Sequence, residues 1–162
     1  MDATVYREVH DTDLEKLAAI RAAEWGDEEY WRKRISGYAS GILNPQQALP
    51  PRVIFVGAAG DQIVGFIAGH LTRRFACDGE LEWLNVIPEQ RRAGVARELL
   101  LKLAGWFADH GARRVCVDAD PENPAARAFY RKNGAVDLNP HWLVWPDITK
   151  ISSIESARSL VP

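Results

Sequence analysis

The stretch Leu81-Glu82-Trp83-Leu84-Asn85-Val86-Ile87-Pro88-Glu89-Gln90-Arg91-Arg92-Ala93-Gly94-Val95-Ala96 decides how the rest of the chain is read. A strand ends at a proline, a cationic turn follows, and a helix opens around a glycine. Such a turn aims several unpaired backbone N–H groups, and the positive end of the helix dipole, at one point. Both favour an anion, most naturally a phosphate or pyrophosphate. Gly94 has no Cβ to keep an oxygen away from the backbone, Ala96 keeps the next turn slim, and Arg91 and Arg92 add charge at the rim. An ordinary turn with solvated arginines is the plainer reading of the same spacing. No Gly-Lys-Ser/Thr follows, so this is not a Walker loop, and a single glycine does not make a GxGxxG fingerprint.

Downstream of this unit, Val95, Leu99, Leu103 and Phe107 recur every four residues on one helical stripe, with Gly111 placed to end the helix. Val115-Cys116-Val117 reads as a short buried strand. Asn123-Pro124 caps a further helix, which Gly134 closes. Asn123 and Tyr130 lie two helical turns apart and share a face, with the small Ala126 between them. An amide, a shallow groove and a phenol suit an elongated ligand, although a capping asparagine and a half-buried tyrosine give the same pattern.

Upstream, Thr4 to Val9 alternates as a strand does, Leu14, Leu17, Ala18 and Arg21 have helical spacing up to Gly26, and Tyr30, Ile35 and Tyr38 fit a second helix. Asn44 to Pro51 reads as a loop because Pro50-Pro51 suits neither a helix interior nor a central strand. Val53–Ala58 and Ile63–Ala68 form a hairpin across Gly60-Asp61. Val136–Leu138 and Trp142–Trp145 make a last hairpin, in which Trp142 and Trp145 face opposite sides. The order is β-α-α-β-β-β-α-β-α-β-β, an α/β (α+β) mixed sheet. A single domain is expected over 1–146, with a polar tail over 147–162.

The 162 residues suit one core. No apolar run approaches the ~20 residues that span a bilayer, and the N-terminal stretch has no signal pattern. With 20 basic and 22 acidic residues the net charge is -2, which gives no overall attraction to nucleic acid. Two cysteines without CxxC spacing, and four scattered histidines, point away from a disulfide framework or a metal centre. A cytoplasmic protein that binds neither membrane nor nucleic acid, and needs no metal, is the expectation.

Together, Val86-x-Pro88-x-x-Arg91-Arg92-x-Gly94-Val95-Ala96 and Asn123-x-x-Ala126-x-x-x-Tyr130-x-x-x-Gly134 resemble the GNAT superfamily of N-acetyltransferases. The resemblance implies a mixed, mostly antiparallel central sheet that splays after its fourth strand to form a slot for acetyl-CoA. It implies that the backbone of Leu84, Asn85 and Val86 pairs with the pantetheine arm. Amides of Arg91, Arg92, Ala93, Gly94, Val95 and Ala96 would hold the pyrophosphate. Asn123 would bond the pantetheine region beside Ala126, and Tyr130 would sit near the thioester sulfur and protonate the departing thiolate. Arg92, Ala93 and Ala96 depart mildly from the common family pattern.

The reaction so implied is direct attack of a primary amine, from a small molecule or a peptide, on acetyl-CoA. An alkyl ammonium has a pKa near ~10.4 and must lose a proton first. Glu82 is the candidate acceptor of that proton, on the expectation that it shares a strand face with Leu84 and Val86; Asp118 is the other. Trp25, Tyr30, Trp31 and Tyr38, interleaved with Glu24, Asp27, Glu28 and Glu29, suggest a cationic or aromatic acceptor, although helix-start acids and core aromatics give the same composition. The apolar Trp142–Trp145 strand allows a homodimer. A non-catalytic acyl-CoA-binding sensor or regulatory module is the alternative to an enzyme.

Overall fold

The computed structural model describes residues 3–151. Its elements run β1 (Thr4–Glu8), α1 (Leu14–Trp25), α2 (Glu28–Ser40), β2 (Ala48–Ala59), β3 (Gln62–Thr72), β4 (Gly79–Val86), α3 (Val95–Asp109), β5 (Val115–Asp118), α4 (Pro124–Lys132), β6 (Val136–Asp137) and β7 (Trp142–Trp145). This is the expected order. One sheet holds all seven strands, in the sequence β1-β2-β3-β4-β5-β7-β6. Every pairing is antiparallel except β4 with β5, which α3 joins as a crossover.

Local chemistry explains most boundaries. The Asp27 carboxylate accepts the Glu29 and Tyr30 N–H groups at the start of α2, and Gly41 ends that helix in the left-handed region at φ +82°. At α4, Asn123 Oδ1 accepts the Ala126 N–H and Pro124 takes the first helical position. The β2 strand begins before the place its sequence suggests. It runs from Ala48, and the register breaks between Leu49 and Arg52. Pro50 and Pro51, which lack N–H donors, occupy that break, and ladder pairing resumes on both sides.

Two cores sandwich the sheet. On one face α3 lays down the expected stripe, with Leu99, Leu103 and Phe107 fully buried against Ile67, Leu81 and Val117. On the other, Leu17 and Ala18 of α1 and Ile35 and Tyr38 of α2 pack on Val56, Phe66 and Trp83. Leu81 and Trp83 are two residues apart, yet they lie in opposite cores. A second register break explains this: Ala68 faces Trp83 and Gly69 faces Leu81, which leaves Glu82 as an extra, bulged residue.

Chain packing does not stop at residue 146. Ile148 and Ile151 are buried in the α3-side core, and the Ile148 N–H donates to the Arg113 carbonyl at 2.8 Å. A polar average over the segment hides two isoleucines spaced to reach one core. The remainder of the expected tail lies outside the described residues. β7 is an interior strand, between β5 and β6, and its Leu143, Val144 and Trp145 are buried within the chain. Among the described residues no helix is long and apolar enough to cross a membrane.

Close seating of α3 depends on missing side chains beneath it. A Cβ at Gly69 would stand 2.8 Å from Leu103 Cδ1, and one at Gly79 would enter the ring of the fully buried Phe107. Gly79→Ala is expected to destabilise the protein by about 1–3 kcal/mol through overpacking. The check is urea unfolding, where the midpoint falls while the slope stays unchanged.

Candidate active site

The site begins where two strands part. β4 and β5 are paired only over Gly79–Val115, Glu80–Cys116 and Leu81–Val117. Beyond Leu81, β4 stays bonded to β3 as far as Val86, but among the described residues no strand pairs with its other edge. The gap is a cleft of about 550 Å³, with Glu82 to Asn85 on one wall and Val117 to Asp120, Asn123, Ala126 and Tyr130 on the other. The free edge of β4 presents unpaired N–H and C=O groups, a template for an extended chain that carries amides.

At the Val86 end a second cavity, of about 650 Å³, is lined by Val86, Arg92, Gly94, Val95, Ala96 and Lys132, among others. Gly94, at φ +84°, starts α3 with no side-chain cap. The first N–H groups of the helix therefore lie outside its ladder. A Cβ on Gly94 would meet nothing within 4 Å, so the backbone is open to a ligand there. Arg92 is also left-handed, at φ +65°, and Ala93 is exposed on the turn between them. Arg91 also lines this cavity, as expected of a rim residue. Its Nε donates to the Val86 carbonyl at 3.1 Å and its guanidinium pairs with Glu24 of α1, stapling the loop to the helical layer. Lys132, in the last turn of α4, takes part in the cradle without a spacing signal that singled it out.

Between the two ends sit the polar groups. Tyr130 is 7% exposed and edges against Trp145 at 5.6 Å, while the Trp145 indole donates to the Asn133 carbonyl on the far side. Trp142, from the opposite face of β7, lines the cleft. Burial pushes the Tyr130 phenol above its ordinary range, so it stays protonated at neutral pH. Asn123 uses its carbonyl oxygen as the α4 cap, which leaves its amide nitrogen for the cleft. Asn85 Oδ1 accepts from Arg21 at 2.8 Å, and both residues line the cleft.

Glu82 lines the cleft but does not share a face with Leu84 and Val86. Those two pack on the α3 side, whereas Glu82 also borders a pocket with Arg34, Tyr38 and Trp83 on the α2 side. The bulge reverses the alternation on which the expectation rested. Burial, the neighbouring Glu80 charge and a hydrogen bond shared with Glu80 push the Glu82 carboxyl up to about 7, against the pull of Arg34 and Arg74. Glu80 is itself buried and accepts from Arg74 Nε at 2.9 Å. Behind it, the fully buried His70 bonds the Tyr38 hydroxyl through Nδ1 at 3.0 Å and brings Nε2 to 3.8 Å from Glu80. Glu80 lies two residues before Glu82, and that doublet is the signal a carboxyl search along β4 can find. Asp118 stands on the opposite wall, its carboxyl pushed up by partial burial.

The aromatic and acidic cluster of the first two helices is divided by the fold. Glu24 and Trp25 reach the cleft. Asp27 is the α2 cap, Glu29 pairs with Arg32, Tyr38 is in the core, and Tyr30 is exposed.

The sequence profile of the Acetyltransferase (GNAT) family matches residues 12–135. Aminoglycoside N(6')-acetyltransferase type 1 of Salmonella typhimurium is 27% identical over 86 residues, covering 49% of this chain and 59% of that protein. An uncharacterized N-acetyltransferase of Mycobacterium tuberculosis is 34% identical over 85 residues, covering 52% and 53%. The chain thus spans little more than half the length of these curated relatives. The crystal structure of PaiA N-acetyltransferase from Thermoplasma acidophilum, in complex with coenzyme A, superposes with a TM-score of 0.64 at 22% identity, covering 88% of this chain and 96% of that one. At that identity the likeness concerns the fold.

Because the Glu82 carboxyl holds its proton more tightly when folded, the native state binds more protons than the unfolded chain between the ordinary glutamate value, ~4.3, and about 7. Its contribution to stability is therefore present at low pH and lost as pH rises through that window. Glu82→Gln removes this dependence. The urea midpoint of the variant, relative to the unchanged chain, is expected to climb between about pH 5 and about pH 8. A constant difference would show that Glu82 titrates normally.

Proposed function

This chain belongs to the Acetyltransferase (GNAT) family, and from that premise we propose that it transfers the acetyl group of acetyl-CoA to a primary amine by direct attack on the thioester. The observation that carries the reading is the placement of two cavities along β4. One lies at an uncapped helix start beside Val86, and the other follows the free strand edge to a carboxyl near pKa 7. The relatives named as N-acetyltransferases support the reaction class.

In this reading the N–H groups at the start of α3, with Arg92 and Lys132, hold the pyrophosphate. The open edge of Leu84, Asn85 and Val86 pairs with the pantetheine amides, and the Asn123 amide nitrogen adds a donor from the facing wall. Acetyl-CoA supplies an activated acyl carbon and a sulfur leaving group. Glu82 removes a proton from the ammonium, directly or through one water, and its raised pKa brings it closer to the amine's ~10.4 than an ordinary carboxylate. The amine nitrogen then bonds the acyl carbon as the carbon–sulfur bond breaks, and the proton that the nitrogen still sheds on becoming an amide passes through water to restore the phenol that protonates the sulfur. Tyr130, kept protonated by burial, donates to the sulfur as negative charge builds there.

Calorimetry with acetyl-CoA and a CoA-release assay over a panel of amines test this together. Binding in the micromolar range is expected in the unchanged protein, weaker in Asn123→Ala, and abolished in a folded Gly94→Glu, whose carboxylate enters the anion cradle. Glu82→Gln is expected to keep acetyl-CoA affinity and lose about 10²–10⁴-fold in kcat, together with the rise of kcat/KM through about pH 7 expected of the unchanged chain. Binding without turnover of any amine makes the chain an acyl-CoA sensor. No binding by the folded protein ends both readings.

A further inference from the structure

The acceptor end of the cleft is lined by charges of both signs, and their partners can be counted. Arg74 is occupied, by Glu80 at 2.9 Å, by the Gln46 carbonyl at 3.1 Å, and by the face of Trp142 at 4.7 Å. Glu24 is paired with Arg91. Asp120 accepts the Glu122 N–H at 2.9 Å. Two cations on the helical side are not so matched. Arg21 of α1 lies over Trp31 at 4.7 Å and donates one guanidinium N–H group to Asn85, while its buried Nε has no hydrogen-bond partner among the described residues. Arg34 of α2 is half-buried, lines both the cleft and the adjoining α2-side pocket together with Glu82, and makes no hydrogen bond or ion pair among the described residues.

A half-buried guanidinium with no acceptor carries a desolvation cost that a ligand oxygen relieves. If Arg34 served as the counter-ion of Glu82, the two would be in contact. They are not, although each feels the other's charge. What fits the gap is a group that only accepts hydrogen bonds and matches the planar fork of arginine, which is a carboxylate. Glu82 and Asp118, from opposite walls, are left to flank an ammonium.

We propose that the acceptor is a zwitterion, an amino acid or peptide-like amine, whose amino group is presented at Glu82 while its carboxylate is held by Arg34 with Arg21. The inference rests on the acetyltransferase reading and narrows it. It also separates this chain from a polycation acceptor of the kind named for its Salmonella relative, because a second ammonium would be driven against Arg21 and Arg34.

The test is CoA release at saturating acetyl-CoA with matched pairs: L-phenylalanine and 2-phenylethylamine, L-tryptophan and tryptamine, L-lysine and cadaverine. For at least one pair the carboxylate-bearing member is expected to have a kcat/KM about tenfold or more above its partner, the size of a charge-assisted hydrogen bond. In Arg34→Gln that ratio collapses toward one, and Arg34→Lys, which keeps the charge, restores part of it. Equal or better use of the decarboxylated members overturns the proposal, as does a preference that survives Arg34→Gln. In either case calorimetric binding of acetyl-CoA persists and the acetyltransferase reading stands. Loss of acetyl-CoA binding by the folded, unchanged protein is the separate signature that the underlying reading has failed.

Discussion

Everything at the site follows from the short parallel pairing of β4 with β5. Three residue pairs join the strands, and then they diverge. β4 cannot follow β5, because its other edge is held in an antiparallel ladder with β3 as far as Val86. β5 cannot follow β4, because β7 holds it along its whole length, from Val115–Trp145 to Asp118–Trp142. Each strand is fixed on its outer side, so the separation between them is part of the folded structure and no ligand is needed to open it. A cleft built in this way has a polar backbone edge on one wall and helix α4 across from it.

The same arrangement accounts for the chemistry of the floor. A bulge in β4 releases Glu82 from the alternation and sets it beside Glu80. Two carboxyl groups in hydrogen-bond reach, both shielded from water, do not ionise independently. Arg74 pairs with Glu80, while burial and its neighbour raise the carboxyl of Glu82, which is the group facing the cleft. A proton acceptor tuned near neutrality thus arises from pairing geometry and burial, without any special residue type. His70 and Tyr38 close the back of the cluster and keep it dry.

The anion cradle depends on a different element, the seating of α3. Glycines at 69 and 79 let Leu103 and Phe107 descend onto the strands, and the helix start is thereby brought level with the end of β4. Arg91 then joins the turn to α1 through Glu24. The loop that presents the helix amides is thus tied to both layers.

The sequence by itself determined the element order, the α3 stripe, the Asn123 and Gly94 helix starts, and the presence of a strand-turn-helix suited to an anion. These depend on neighbours a few residues apart, through periodicity, capping and permitted φ, and such signals survive in a linear text. Tertiary structure alone decided where Glu82 points, since the bulge is a matter of register against β3, and nothing in Leu81-Glu82-Trp83 announces it. It alone drew Arg91 to Glu24, 67 residues away, brought Ile148 and Ile151 into the core, and divided the first-helix acids and aromatics between caps, core and cleft. It also brought Arg21 and Arg34, from two helices, to the cleft that its carboxyl groups line. A side chain's partner across the sheet is chosen by how the layers pack, and packing sums contributions from the whole chain that no local window contains.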